Sequence, residues 1–130
     1  MDDVTVTRDM MFLATSFEEV VARHFQLKLA HDLPSVAKLD ALFARGPLRQ
    51  IAKADFRNVS VMLAAYLGET MRTLAHGGHW ALDEALGPCI VNLPGVRGSV
   101  RVLARAQKRI RTTDPEVLVP LVIQVTAPRA

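Results

Sequence analysis

The sequence predicts an α+β fold, mainly helical, with a long central helix and a small antiparallel β-hairpin in a single domain spanning residues 1–130. Three observations carry that expectation. From about Leu48 to His76, the residues Ala52, Phe56, Val59, Leu63, Leu67, Met71 and Leu74 recur at three- and four-residue intervals with no internal proline, which is the period of one helix face. Beyond Gly77-Gly78, two short segments with aromatic, Val and Ile content, His79 to Leu82 and Cys89 to Leu93, flank a turn-like Asp83-Glu84-Ala85-Leu86-Gly87-Pro88. The chain has 130 residues, 50% of them hydrophobic, and no repeat, low-complexity tract or dividing linker. At that length folding hides roughly two-thirds of the unfolded chain's surface, enough for one core without a metal or a disulfide.

Each element has its own local signal. Val4-Thr5-Val6-Thr7 alternates β-branched residues, so residues 1–15 are expected as a flexible or strand-like lead segment. Ser16 with Glu19 forms a capping box, and Phe17, Val20, Val21 and His24 then share a helical face. From Phe25 to Leu29 the period shifts to two, so the last turn before Ala30 is weakly specified. Pro34 opens a short helix on Val36, Leu39, Leu42 and Phe43, and Gly46-Pro47 closes it.

Within the long helix, Ser60, Ala64 and Gly68 fall four apart, making a seam of minimal side chains expected to press against the tryptophan hairpin. A mid-helix glycine costs about 1 kcal/mol against alanine, so close packing is its expected purpose. The His76-Gly77-Gly78 turn ends that helix. After Pro94-Gly95, Ser99 reads as the cap of a helix carrying Val100, Leu103, Ala106 and Ile110. Residues 115–127 give opposed signals. Thr113-Asp114-Pro115-Glu116 is a helix start, whereas Val117, Val119, Val122, Ile123, Val125 and the interior Pro120 favour a strand.

Ala65-Tyr66-Leu67-Gly68-Glu69, followed by Gly77-Gly78-His79-Trp80 and preceded by Ser35-Val36-Ala37-Lys38-Leu39-Asp40, resembles a family of small, mostly uncharacterised bacterial domains with an "SxxxLD... AYLGE... GGxW" pattern. The likeness covers about residues 30–125. It implies a small hairpin packed on helices and a helical final segment, and it brings no catalytic residues with it.

Composition narrows the chemistry. The single Cys89 excludes an intramolecular disulfide and any zinc site needing two cysteines of one chain. Asp2 and Asp3 stand where an export signal would be positive, and no apolar run approaches the roughly 20 residues of a membrane span, so the expected location is the cytoplasm. His76 and His79 with Asp83 or Glu84 could chelate, but three-residue spacing across a glycine turn reads better as turn histidines, and no metal or cofactor is expected. Cys89 reads as a small core residue, and Ser99 lacks the glycine pattern of a nucleophile elbow. Glu69 is expected to accept the Trp80 N–H or to pair with Arg72.

The densest charge feature is Arg97, Arg101, Arg105, Lys108, Arg109 and Arg111, uninterrupted by an acid up to Thr113, in a chain of net charge +3. Residues Arg97, Arg101, Arg105, Lys108 and Arg109 are therefore the expected partner-binding set. The structural set is Ser60, Ala64, Gly68, Glu69, Gly77, Gly78 and Trp80. The function expected is that of a non-catalytic, cytoplasmic protein-binding module, an adaptor, regulatory subunit or immunity-like partner, either self-associating as a homo-oligomer or using the basic helix against an acidic surface. The alternative is a nucleic-acid-binding protein using the helix near residues 99–112, although no aromatic residue interleaves its arginines. A small enzyme whose site converges from distant residues is the third reading.

Overall fold

A computed structural model describes residues 2–127. Along it run α1 (Asp3–Phe25), α2 (Leu33–Ala44), α3 (Pro47–Ala54), α4 (Phe56–Ala75), β1 (His79–Asp83), β2 (Gly87–Val91), α5 (Val102–Arg111) and α6 (Leu118–Thr126). The domain is α+β and mainly helical, with one two-stranded antiparallel sheet. No helix among the described residues is long and apolar enough to cross a membrane.

The α4 helix is the spine. Residues 63–68, together with Ser60, Thr70 and Met71, are buried on nearly every side, because α1 and α5 pack against this helix and α3 and α6 also touch it. Its end is set by His76, which adopts the left-handed conformation (φ 55°) and donates its N–H to the Arg72 carbonyl. Gly77 N–H reaches the same carbonyl at 3.2 Å. The helix is shorter than the stripe predicts, because Asp55 leaves the helical region (φ −132°, ψ 54°) and divides 47–75 into α3 and α4. Asp55 serves both pieces: its N–H closes α3 on Ile51, its carbonyl accepts from Val59, and its carboxylate accepts from the Asn58 amide.

Residues 3–15 of the lead segment are helical rather than strand-like. Asp2 accepts the Thr5 N–H at 2.8 Å, and α1 runs 23 residues from there. Val6, Met10, Ala14, Phe17 and Val21 supply the buried stripe, so packing on α4 overrides the β preference of the valines and threonines. Ser16 consequently lies inside a helix, its hydroxyl donating to the Phe12 carbonyl rather than capping. In α2 the cap is Asp32, which accepts the Ser35 N–H at 2.9 Å one position before Leu33-Pro34.

The hairpin pairs Trp80 with Ile90 and Ala81 with Cys89, and it closes more tightly than expected, with Asp83 opposite Gly87. The Asp83 carboxylate accepts from Ala85 N and Leu86 N at 2.8 and 2.9 Å, closing that turn. Val100 then exchanges backbone hydrogen bonds with Ile90 at 3.2 and 2.8 Å. This bridge draws the chain into extended conformation, so α5 starts at Val102 and Ser99 caps nothing.

The contested tail is helical. Pro120 is the third residue of α6, where an N–H has no intrahelical acceptor and a missing donor is harmless.

Candidate functional site

The α5 helix divides the basic cluster between two environments. Val102, Ala106 and Ile110 are buried, and Arg109 falls among them on the same face, fully buried. Its Nη1 donates to Asp40 Oδ1 at 2.7 Å and its Nη2 to the carbonyls of Thr112 (3.1 Å) and Asp114 (2.6 Å). Asp40 is 1% exposed and sits on the buried stripe of α2 with Val36, Leu39 and Phe43. Its two oxygens also accept from the backbone N–H groups of Val117, Leu118 and Val119 at 3.0–3.3 Å. One carboxylate thus neutralises a buried guanidinium and satisfies the open donors of the α6 N-terminus, with Pro120 removing the next one. Arg109 is accordingly no partner-binding residue: its charge is needed inside.

Arg111 is also engaged, its guanidinium 4.7 Å above the Phe56 ring, and Arg49 caps the Ile110 carbonyl at 3.0 Å. The remaining cations face outward. Arg97, Arg101, Arg105 and Lys108 are exposed and make no ion pair among the described residues. Arg101, just before α5, and Arg105 and Lys108 within it fall four and three apart and border an open groove of about 510 Å³ between α5 and α6. Val96, Val100, Ala104, Leu121 and Val125 are its apolar lining, with Ser99 and Gln124 as its uncharged polar members. Arg97 stands in the preceding loop, outside the groove lining. Toward the α6 N-terminus the groove continues into a narrower part of about 190 Å³, where Asp114 and Glu116 face Arg105 and Lys108. No family model, curated protein or solved structure matches the chain.

Of the structural set, Gly68, Glu69, Gly78 and Trp80 meet where α4 faces the hairpin, whereas Ser60 and Ala64 are simply buried on α4. Trp80 is fully buried against Gly68: a Cβ on Gly68 would overlap the indole Cη2 and Cζ2 and lie 3.1 Å from Ile90 Cδ1. The indole N–H donates to Glu69 Oε2 at 2.9 Å, and Arg72 Nη1 donates to the same oxygen at 2.7 Å. Both readings of Glu69 hold at once. Arg72 Nε then holds the Gly78 carbonyl at 3.1 Å, joining turn and strand to α4. At Gly78 (φ +88°) an added Cβ would sit 2.8 Å from Leu93 Cδ2, so the position needs glycine for both conformation and space.

One further titratable cluster has no counterpart in the sequence reading. His31 Nε2 lies 3.6 Å from Glu18 Oε1, and its ring packs edge-on to Tyr66 at 5.7 Å. Burial pushes the Glu18 carboxyl above its usual range, opposed by His31 and reinforced by repulsion from Glu69 and Glu19. Burial likewise raises the Tyr66 phenol, which donates to the Ala30 carbonyl at 2.7 Å. Cys89 is buried and its thiol is pushed up by that burial, the opposite of an activated nucleophile. His79 Nε2 meets the Asn92 amide at 2.8 Å, and no group of three His, Cys, Asp or Glu among the described residues could hold a metal ion.

Proposed function

We propose that the chain is a non-catalytic, cytoplasmic protein-binding module that docks an acidic partner through the exposed face of α5. The observation that carries this reading is the division of the arginines: Arg109 is consumed by Asp40, whereas Arg101, Arg105 and Lys108 stand on one face without an ionic partner among the described residues. Three exposed cations that form no salt bridge among the described residues attract a surface rich in carboxylates and accelerate its approach. The acids and bases with defined geometry elsewhere hold the fold: Glu69 binds Trp80 and Arg72, and Asp40 binds Arg109 and α6. Self-association belongs to the same reading, supported by Val4 and Phe12 on α1, which are 79% and 71% exposed.

The test compares the wild type with the Arg101→Glu/Arg105→Glu double variant in affinity capture from native extract, alongside a mobility shift of labelled duplex DNA. Expected is an acidic protein retained by the wild type, released by rising salt and lost in the variant, whose circular dichroism is unchanged. Retention indifferent to the double variant overturns the reading. A low-salt duplex shift abolished by the same variant, with no protein retained, transfers the face to nucleic acid.

A further inference from the structure

We infer that the partner segment is an acidic amphipathic helix seated in the α5–α6 groove, rather than an acidic chain held by charge alone. This rests on the protein-binding reading above and specifies what the site recognises.

The groove has two chemically distinct parts. Its α5 rim carries Arg101, Arg105 and Lys108, and its floor carries Val100, Leu121 and Val125, each 7–9% exposed. Flexible carboxylates would satisfy the rim and leave the floor wet. A helix with apolar residues at three- and four-residue spacing and Glu or Asp beside them satisfies both. The dimensions agree: the ten residues of α5 make a wall of roughly 15 Å, about three turns of a docked helix. Ala104 lines the groove with a methyl where a longer side chain would occupy part of the space.

The far end argues against a phosphate tract. Asp114 and Glu116 interrupt the positive track beside Arg105 and Lys108, so a uniformly anionic backbone running along the groove meets repulsion there. A protein helix can end, or present a lysine, at that point.

The experiment uses two fluorescein-labelled peptides of about 18 residues and identical Glu/Leu composition. In one the leucines fall at three- and four-residue spacing; in the other they are scattered. Each is titrated by anisotropy with the wild type, with Ala104→Arg and with Arg101→Glu/Arg105→Glu. Ala104 is exposed on a helix, so Ala104→Arg folds normally, fills the groove and adds a positive charge.

Expected are at least about tenfold tighter binding of the patterned peptide and at least about tenfold loss in Ala104→Arg despite the added charge. Equal binding of the two peptides, or unchanged or tighter binding by Ala104→Arg, overturns the groove inference. The charge-based reading then stands if the double glutamate variant still abolishes binding. No binding of either peptide also overturns the inference, and binding insensitive to the double glutamate variant removes both readings.

Discussion

A methyl group on Gly68 would improve helix propensity by about 1 kcal/mol, yet that methyl would collide with the Trp80 ring rather than with a flexible side chain. The indole is fixed by its own hydrogen bond to Glu69, so it cannot swing aside cheaply. Gly68→Ala is therefore expected to destabilise the protein by about 1–3 kcal/mol net. Denaturant unfolding followed by the emission of the single tryptophan measures it, and a variant as stable as the wild type would refute the packing account. Titration of Glu18 adds a second residue-level outcome. Its carboxyl holds its proton more tightly in the folded state than in the unfolded one, so folding loses stability as pH rises through and above the ordinary glutamate range. Glu18→Gln removes that loss, and its stability curve is flatter than the wild type's on this limb. A parallel pair of curves would show that the site does not titrate as its surroundings require.

The α2 helix depends on a cap of the opposite sign. The backbone hydrogen bond from Ser35 holds the Asp32 carboxyl below its usual range. Its contribution is complete above that range and is lost as pH falls through the lowered value. Asp32→Asn keeps an acceptor that does not titrate, so its unfolding midpoints fall less steeply on the acid side than those of the wild type, a difference read by urea titrations at about pH 7 and about pH 3.

Caps of this local kind are legible in sequence, and so is the partnership of Trp80 with Glu69, because only eleven residues and one turn separate them. The stripe of α4 was readable for the same reason. Asp55 was not: it is neither a proline nor a glycine and stands within an unbroken apolar stripe, yet its backbone leaves the helical region. The start of α1 was obscured by β-branched residues whose preference the contact with α4 outweighs. Signals at Thr113–Glu116 conflicted because the true cap of α6 comes from Asp40, 78 positions away from Leu118. A clue to Arg109 did exist. It falls at apolar spacing from Val102 and Ala106, as Asp40 does from Val36, so two opposite charges sat on two buried stripes. Charge density alone drew Arg109 toward the surface set.

Three helices meet at that pair, and the whole molecule depends on it. Removing Asp40 strands a guanidinium in the core and exposes α6 donors at the same time. Asp40→Ala is expected to cost about 3–5 kcal/mol, the usual penalty for breaking a buried pair. Asp40→Leu combined with Arg109→Met should recover part of that cost as judged by thermal unfolding, whereas additive losses would show that the two residues do not act together. The outer face is expected to behave differently. Arg101→Glu/Arg105→Glu should change stability by no more than about 1 kcal/mol, since neither side chain holds a salt bridge among the described residues and the new carboxylate at 105 meets Asp114 and Glu116 only at the exposed surface.

A single acid thus acts as the latch for a segment made some 78 residues after it. On the ribosome, α2 emerges with that acid bare and its greasy flank open until residues 117–119 have been synthesised. This domain therefore closes late in its own synthesis, and polypeptides interrupted before residue 118 are the forms most exposed to proteases and to chaperones.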